Sequence, residues 1–139
     1  MPVAKKASKL DYTYAVGRRR TASARVRVFR GKGDTTVNGK PIEKYFPGDL
    51  NKQIWTKPLR VVDALDKYYA SVKVVGGGAR GQLEAVTHGI SRALAKLNKD
   101  EFRPPLKKAG LLTRDPRTRE RRKVGMGGKA RRVKQSPKR

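Results

Sequence analysis

The sequence contains no cysteine and a single histidine, His88. Without cysteine the chain forms no disulfide, no thiolate metal site and no cysteine nucleophile. It also lacks the run of roughly 18 apolar residues that crosses a bilayer and, near its start, the apolar segment of a secretion signal. These absences disfavour a membrane protein, a disulfide-rich secreted domain and a cysteine-dependent enzyme. They predict a cytoplasmic location.

Acidic residues are also scarce. The 139 residues include 11 Asp and Glu against 36 Lys and Arg, for a formal net charge of +25. This excess is far beyond what solubility requires, and it repels itself in any compact state. Nucleic acid carries one charge per phosphate along a continuous path and releases counterions when a basic chain binds. The composition therefore predicts a nucleic-acid partner.

Large apolar side chains become rare after Leu112. The segment 113–139 holds 12 Lys and Arg against two acids, a net charge of +10 in 27 residues. Such a segment cannot offset its ordering entropy by burial, so in isolation it should be disordered. We therefore expect a basic N-terminal arm over residues 1–11, one domain over residues 12–112, and an extended basic C-terminal tail over residues 113–139.

The start of the expected domain has the pattern of β-structure. Residues 24–29, ARVRVF, alternate with period two, which predicts a strand with two valines facing inward and two arginines facing outward. The glycines of RGKGD, residues 30–34, predict a turn before a short partner strand. Asn38-Gly39 then predicts a two-residue hairpin turn.

Helical spacing dominates the second half of the domain. Pro58 is expected to open a helix that continues through residues 61–69, and residues 70–75, ASVKVV, read as another strand. From Ala79 to Asn98, apolar residues recur on one helical face, with small residues beside them that allow close packing. This segment predicts a long core helix.

The end of the domain has a less regular pattern. Pro104 and Pro105 are expected to interrupt regular structure, and residues 107–112 to form a last helical turn. Strands followed by a packed helix, without repeated strand–helix–strand units, are typical of an α+β domain. The expected fold class is therefore α+β: one sheet with helices packed on one face.

Gly17 is followed by Arg18, Arg19 and Arg20. Consecutive arginines on a strand cannot share one face, so at least one projects toward each side. The whole group is then expected to remain solvated or to meet phosphates. An exposed basic turn without a ligand is the alternative.

A glycine loop precedes the long predicted helix, with the sequence GGGARGQ over residues 76–82. Glycines let the backbone approach an anion, and Arg80 adds a charge at the helix start. The alternative is a tight turn in which the glycines merely permit close packing, and the sequence leaves both open. The loop is neither a Walker A sequence nor a dinucleotide-binding GxGxxG motif.

His88 lies four residues from both Glu84 and Arg92, so the three residues line one stripe of the predicted helix. This arrangement is typical of a solvated polar edge. A lone histidine beside a glutamate is far more often a surface pair than a catalytic site. We therefore expect no catalytic residue, no metal site and no cofactor.

With these residues identified, the chain resembles the S-nine family of small-subunit ribosomal proteins, and the resemblance covers about residues 12–139. The positions that match the family signature are Gly76–Gly78, Gly81-Gln82, Ala85, Gly89-Ile90 and Arg92–Leu94. Further agreement lies in GRRRTASARVRVF, VNGKPIEKYF, TRDPRTRERRKVG and KARR.

The resemblance implies a single domain of the type shared with domain two of ribosomal protein five, plus the extended tail. It implies a structural, non-enzymatic constituent of the small subunit that binds rRNA in the subunit head beside neighbouring head proteins. The tail would approach the P-site tRNA. No homo-oligomer is expected.

The resemblance and the charge pattern together nominate binding residues. Lys138 and Arg139 are expected to contact tRNA; the family usually has an aromatic residue and a serine before this pair, where the chain has Ser136 and Pro137. The residues expected to bind rRNA are Arg18, Arg19, Arg20, Arg25, Lys32, Arg80, Arg114, Arg117, Arg119, Arg121, Arg122, Lys123, Lys129, Arg131 and Arg132.

Two other functions remain as alternatives. Small-molecule kinases use the implied fold with a glycine loop at a similar helix start, but they are much longer, and ATP binding would reveal one. A free nucleic-acid chaperone matches the composition, although it would not stay with the small subunit through a salt wash.

Overall fold

A computed structural model describes residues 12–121 of the chain. The elements in this range are β1 (Tyr12–Arg19), β2 (Ala22–Arg30), β3 (Thr36–Val37), β4 (Lys40–Pro41), α1 (Ile42–Tyr45), α2 (Asp49–Val61), β5 (Tyr68–Val75), α3 (Ala79–Leu97) and α4 (Lys99–Lys108). The strands form one sheet in the order β1-β2-β5-β3-β4. Neighbouring strands are antiparallel except for β3, which lies parallel to β5.

The period-two alternation predicted for β2 is confirmed. Val26 and Val28 are buried, whereas Arg25 and Arg27 are exposed. Val72 of β5 pairs with Val26 and is buried with it, so neighbouring strands alternate in the same sense. One face of the sheet therefore forms the core, and the other face is open to solvent.

The predicted long core helix is also confirmed, because α3 packs across β1 and β2 on the buried face. Small residues meet where the helix crosses the strands. A Cβ atom at Gly17 would lie 1.9 Å from the carbonyl oxygen of Ala85, and one at Gly89 would lie 2.6 Å from Cγ2 of Val26. Neither position has room for a side chain, so the two glycines set the distance between helix and sheet.

The predicted helix start at Pro58 is wrong. The helix α2 begins at Asp49, and Pro58 lies inside it and is buried. Trp55 and Leu59, four residues apart, share one helical face and are buried. This apolar stripe begins before the proline, and its burial against α3 offsets the proline's missing backbone donor.

The second half of that predicted helix is a turn and a strand. Just after α2, Asp63 adopts a φ of 52°, in the left-handed region that helical backbone does not use. Tyr68 and Tyr69 then form the start of β5, which continues through the strand predicted for residues 70–75. Cross-strand pairing with β2 therefore overrides the helical spacing of these residues.

The expected interruption at Pro104 and Pro105 is also wrong, because both prolines lie inside α4. The side chain of Asn98 accepts a hydrogen bond from the backbone N–H of Glu101 at 3.2 Å and caps the helix start. Leu106, which is fully buried, anchors the helix to the core. These two contributions offset the backbone hydrogen bonds that the prolines remove.

The helices form a layered arrangement on one side of the sheet, as predicted. α3 contacts the sheet, and α2 and α4 pack against α3. The last turn predicted over residues 107–112 is only partly helical, since α4 ends at Lys108 and Gly110 takes a φ of 75°. No helix between residues 12 and 121 is long and apolar enough to cross a membrane. The α+β fold class is confirmed for a single small domain.

Candidate nucleic-acid interface

The glycine loop packs against the turn that joins β1 to β2. A Cβ atom at Gly76 would lie 2.5 Å from the carbonyl oxygen of Thr21, and one at Gly77 would lie 3.0 Å from Cβ of Ala22. Both glycines also have positive φ, 77° and 67°. These two glycines therefore serve the close packing of a tight turn, one of the two interpretations that the sequence leaves open.

The rest of the loop faces solvent at the start of α3. Gly78 has no heavy atom within 4 Å of its Cβ position, and the side chain of Arg80 is 77 % exposed. Gln82 holds the loop in place: its Nε2 donates to the carbonyl of Gly76 at 3.0 Å, and its Oε1 accepts from the hydroxyl of Tyr45 at 2.9 Å. Gly78 and Arg80 remain available to an anion, and that role stays a prediction.

The three consecutive arginines take three different positions. Arg18, at the end of β1, and Arg20, in the turn with a φ of 55°, are both exposed. Arg19 points toward the helices and is only 7 % exposed. The expectation that the whole group remains solvated or meets phosphates is therefore wrong for Arg19, because strand alternation directs it inward.

Arg19 forms an ion-paired cluster at the edge of the helix layer. Its Nε donates to Oε2 of Glu84 at 2.7 Å, and its Nη2 lies 3.4 Å from Oδ2 of Asp115. Its Nη1 donates to the backbone carbonyl of Arg117. The guanidinium thus joins β1 to α3 and to the segment that follows α4.

The segment around Asp115 is held to the domain by the same cluster. The guanidinium of Arg117 donates to the Asp115 carboxylate at 2.7 Å and holds the pKa of that carboxyl well below its usual range. The same contact raises the pKa of Arg117. Contacts with the domain thus continue beyond Leu112, and the division of the chain at that residue stays a prediction.

His88 is not part of a solvated polar edge, contrary to the expectation. Its Nε2 lies 3.3 Å from the carbonyl oxygen of Leu112 and so acts as the donor, while its Nδ1 is buried without a partner among the described residues. Burial lowers the pKa of His88. Glu84, its expected neighbour, is instead engaged by Arg19 and Arg80.

A basic groove runs between the edge of β1 and α3, lined by Arg18, His88, Arg92 and Arg114. Arg92 donates to the backbone carbonyl of Val16 at 2.6 Å, and so covers part of the edge strand β1. Sequence reasoning placed Arg92 only in the polar stripe and missed its place in this groove. The signal was its position four residues after His88, which puts both side chains on one helical face.

The open face of the sheet carries a second group of cations. Arg25 projects from it as predicted, and Arg27 and Lys73 line the same shallow groove. Arg27 and Lys73 were not nominated as binding residues. Arg27 lies two positions after Arg25 on β2 and so shares its face, and Lys73 is the direct cross-strand partner of Arg25. Lys32 is exposed in the loop after β2, at the opposite end of that strand from Arg20.

The remaining nominated residues divide into two sets. Arg114, Arg117, Arg119 and Arg121 are exposed and lie outside any helix or strand. The nominated Arg122, Lys123, Lys129, Arg131, Arg132, Lys138 and Arg139 lie outside the described residues, as does the N-terminal arm 1–11.

No group of metal-ligating side chains is found between residues 12 and 121.

These features define a small, strongly basic α+β domain whose exposed cations include a group on the open sheet face and a group at the end formed by the β1–β2 turn. The pattern of the family described as Ribosomal protein S9/S16 matches residues 17–139 of the chain. The chain therefore belongs to the ribosomal protein S9/S16 family.

Curated relatives agree with this membership over most of the chain. The chain is 50 % identical over 118 residues to the small ribosomal subunit protein uS9 of Maridesulfovibrio salexigens, covering 85 % of the chain and 90 % of that protein. It is 49 % identical over 116 residues to the uS9 protein of Lawsonia intracellularis, covering 84 % and 88 %. The protein is a structural, non-enzymatic constituent of the ribosome, and both predictions are confirmed.

Proposed function

We propose that this protein binds small-subunit rRNA in the head of the subunit and that its tail contacts the P-site tRNA during translation. The observation that carries the proposal is the meeting of the β1–β2 turn with the glycine loop, where Gly76 lies against Thr21. This contact brings Arg18, Arg20 and Arg80 to one end of the domain, although they are far apart in the sequence.

The chemistry of this end suits an RNA backbone. Arg18 and Arg20 are exposed, and neither forms an ion pair among residues 12–121. Arg80 has a single long contact, 3.5 Å to Glu84, and is otherwise exposed. Guanidinium groups bind phosphate oxygens in a bidentate manner, and backbone N–H groups at the start of α3 favour an anion. We place the strongest phosphate contacts of the domain here.

Other nominated residues extend the proposed RNA surface. Arg25 lies on the open sheet face and Lys32 in the loop beyond β2, while Arg114, Arg119 and Arg121 would continue the contact along the tail. Arg19 is the exception: its guanidinium is occupied by Glu84 and Asp115, so we assign it to holding the domain and the start of the tail together.

The coarser organisation completes the proposal. We propose that the chain is organised as a basic arm over residues 1–11, a domain over residues 12–112 and a basic tail over residues 113–139. The domain would be of the type found in domain two of ribosomal protein five. In the cytoplasmic ribosome, rRNA and neighbouring head proteins would surround the domain. In the tail, Arg122, Lys123, Lys129, Arg131 and Arg132 would bind rRNA, and Lys138 and Arg139 would bind the tRNA backbone without reading its sequence.

Salt-dependent RNA binding tests the proposed phosphate contacts. Replacing Arg18, Arg20 and Arg80 with alanine should weaken binding to small-subunit rRNA and reduce the slope of log K against log salt by about 0.7 to 0.9 per lost contact. The matched control replaces Lys57, Lys99 and Lys107, exposed on α2 and α4, and should leave the slope close to that of wild type. Equal effects of the two triple variants would contradict the assignment.

Removal of Lys138 and Arg139 tests the tRNA contact separately. Subunits carrying the shortened protein should assemble at normal yield and bind P-site tRNA more weakly at low salt, because two ionic contacts are lost while rRNA binding is retained. Unchanged tRNA affinity, or a failure of the shortened protein to join the subunit, would remove this role.

A further inference from the structure

The open face of the sheet combines exposed aromatic rings with cations. Its residues are the outward-facing positions of β1, β2 and β5, which cross-strand pairing brings into rows. Within these three strands no outward position is an Asp or Glu. The outward residues, here called the open face, are Tyr12, Tyr14, Val16, Arg18, Ser23, Arg25, Arg27, Phe29, Tyr69, Ser71, Lys73 and Val75.

Three aromatic rings form a row across the end of the open face. Tyr12 lies 5.8 Å from Phe29 between ring centroids, and Phe29 stacks on Tyr69 at 5.2 Å with an interplanar angle of 16°. The loop after β2 covers Tyr69, since a Cβ atom at Gly33 would lie 2.8 Å from its ring. Tyr12 and Tyr14 remain the exposed rings, 48 % and 41 % exposed.

Cations surround these two exposed rings. The guanidinium carbon of Arg27 lies 5.1 Å from the ring centroid of Tyr12, and Arg27 pairs across the sheet with Tyr14. Arg25 and Lys73 line the same groove. None of these three cations forms an ion pair among the residues that the structure describes. The groove therefore has positive charge without an internal counter-charge.

The cations and exposed aromatic rings of the open face match a polyanion that also presents flat apolar rings. The chain's own extensions do not meet this need, because the segments 1–11 and 113–139 are themselves basic. An RNA duplex would supply phosphates but would leave its bases stacked inside the helix, away from the tyrosines. Unpaired nucleotides supply both groups, since each base has a face that stacks on an aromatic ring.

We infer that the open face binds unpaired nucleotides of RNA, with bases stacked on Tyr12 and Tyr14 and phosphates held by Arg25, Arg27 and Lys73. The two tyrosines are two residues apart on one strand, so their Cα atoms are separated by about 6.8 Å. That separation suits successive bases that have been splayed apart rather than bases in a continuous stack. The inference rests on the proposed RNA-binding function and deepens it, because it specifies the form of RNA at this surface.

A pair of tyrosine variants tests the stacking. The full chain would be titrated with a labelled single-stranded oligouridylate and with an RNA duplex of equal phosphate number. Replacing Tyr12 and Tyr14 together with leucine should weaken single-strand binding by about tenfold or more and leave duplex binding and both salt slopes unchanged. The double Tyr→Phe variant keeps both rings and should retain wild-type binding.

Crosslinking gives a second readout that does not depend on a variant. An oligonucleotide containing 4-thiouridine should crosslink to the tryptic peptide that contains Tyr12 and Tyr14 in the wild-type protein. The inference is overturned if no crosslink forms there, or if the leucine variant binds both RNAs as wild type does. It is also overturned if the leucine variant binds both RNAs more weakly to the same extent. If single-strand binding is unchanged while the leucine variant fails to join subunits, a neighbouring protein rather than RNA contacts this face, and the inference is again overturned.

These outcomes are separable from the proposed function. A wild-type protein that does not remain with small subunits through a salt wash would contradict the ribosomal RNA-binding role itself. The ratio of single-strand to duplex affinity in the leucine and phenylalanine variants tests only whether unpaired nucleotides bind at the open face.

Discussion

The three longer strands of the sheet, β1, β2 and β5, have two faces that differ in what specifies them. On the buried face, Ala24 and Val26 are fully buried, and α3 approaches so closely that Gly17 has no room for a methyl group. On the open face, the alternate positions Arg25 and Arg27 are exposed. The buried face is specified by side-chain size, and the open face by charge. Stability and RNA binding should therefore respond to substitutions on opposite faces.

The largest loss of stability is expected at the crossing of β1 and α3. Gly17→Ala would place a Cβ atom 1.9 Å from the carbonyl of Ala85, so strand or helix must shift. We expect the free energy of unfolding to fall by about 3 kcal/mol, as for an overpacked core. Gly78→Ala, in open space at the N-cap of α3, should cost only about 1 kcal/mol or less when both variants are measured by urea titration. Similar losses for both variants would refute the close crossing.

Arg19 is an exception to the difference between the two faces, because it is a cation on the buried face. Arg19→Met removes the partner of Glu84 and Asp115 and should lower the free energy of unfolding by about 2 kcal/mol, reduced from the cost of breaking a fully buried pair because both acids are partly exposed. Arg18→Met, at the exposed neighbouring position, should change it by less than about 0.5 kcal/mol. If both variants unfold like wild type, Arg19 has no structural role.

Arg19 also shows where sequence reasoning stops. Period-two alternation places Arg18 and Arg19 on opposite faces, but it does not reveal that Glu84 and Asp115, distant in the sequence, meet the inward guanidinium. The alternation of β2 and the apolar stripe of α3 were predictable because each pattern is local and repeats. The meeting of Thr21 with Gly76 depends on the packing of separate strands and was not predictable from either motif.

The two errors in helix placement that involve proline share a physical cause. Proline was treated as a helix start at Pro58 and as an interruption at Pro104 and Pro105, in keeping with its local preferences. In the folded chain, burial of Leu59 and Leu106 against the core outweighs those preferences. Local propensity is a weak guide wherever tertiary packing is strong.

A smaller effect is expected from His88, whose pKa burial lowers. In the unfolded chain this side chain takes up a proton near its usual pKa of 6.5. In the folded domain, burial disfavours the protonated form. The unfolded state therefore binds more protons as pH falls below that value, and the stability contributed by neutral His88 is lost. The free energy of unfolding should decrease between about pH 7 and about pH 5.5.

His88→Gln separates this effect from the general repulsion of a basic chain at low pH. Glutamine keeps a donor for the carbonyl of Leu112 but does not titrate. The variant should therefore lose less stability than wild type over the same pH interval in urea titrations. Parallel pH profiles for the two proteins would show that His88 is not the titrating group.

The smallest change in stability is expected on the open face. Replacing Arg25 and Arg27 with glutamine should alter the free energy of unfolding by less than about 1 kcal/mol, because both side chains are exposed, neither forms an ion pair among the described residues, and the contact of Arg27 with the Tyr12 ring is exposed. The same variant should bind rRNA more weakly and with a reduced salt slope. A large loss of stability, or RNA binding equal to wild type, would erase the contrast between the faces.

Lysine reactivity in intact subunits tests whether the open face is covered by RNA, and it requires no substitution. Lys73 lies on the open face, whereas Lys57 and Lys99 are exposed on α2 and α4 on the other side of the domain. Acetylation rates would be measured by mass spectrometry for the free protein and for the assembled small subunit. Assembly should strongly slow the acetylation of Lys73 and should slow that of Lys57 and Lys99 less. Lys73 that reacts equally fast in both states, while Lys57 and Lys99 become protected, would contradict this prediction.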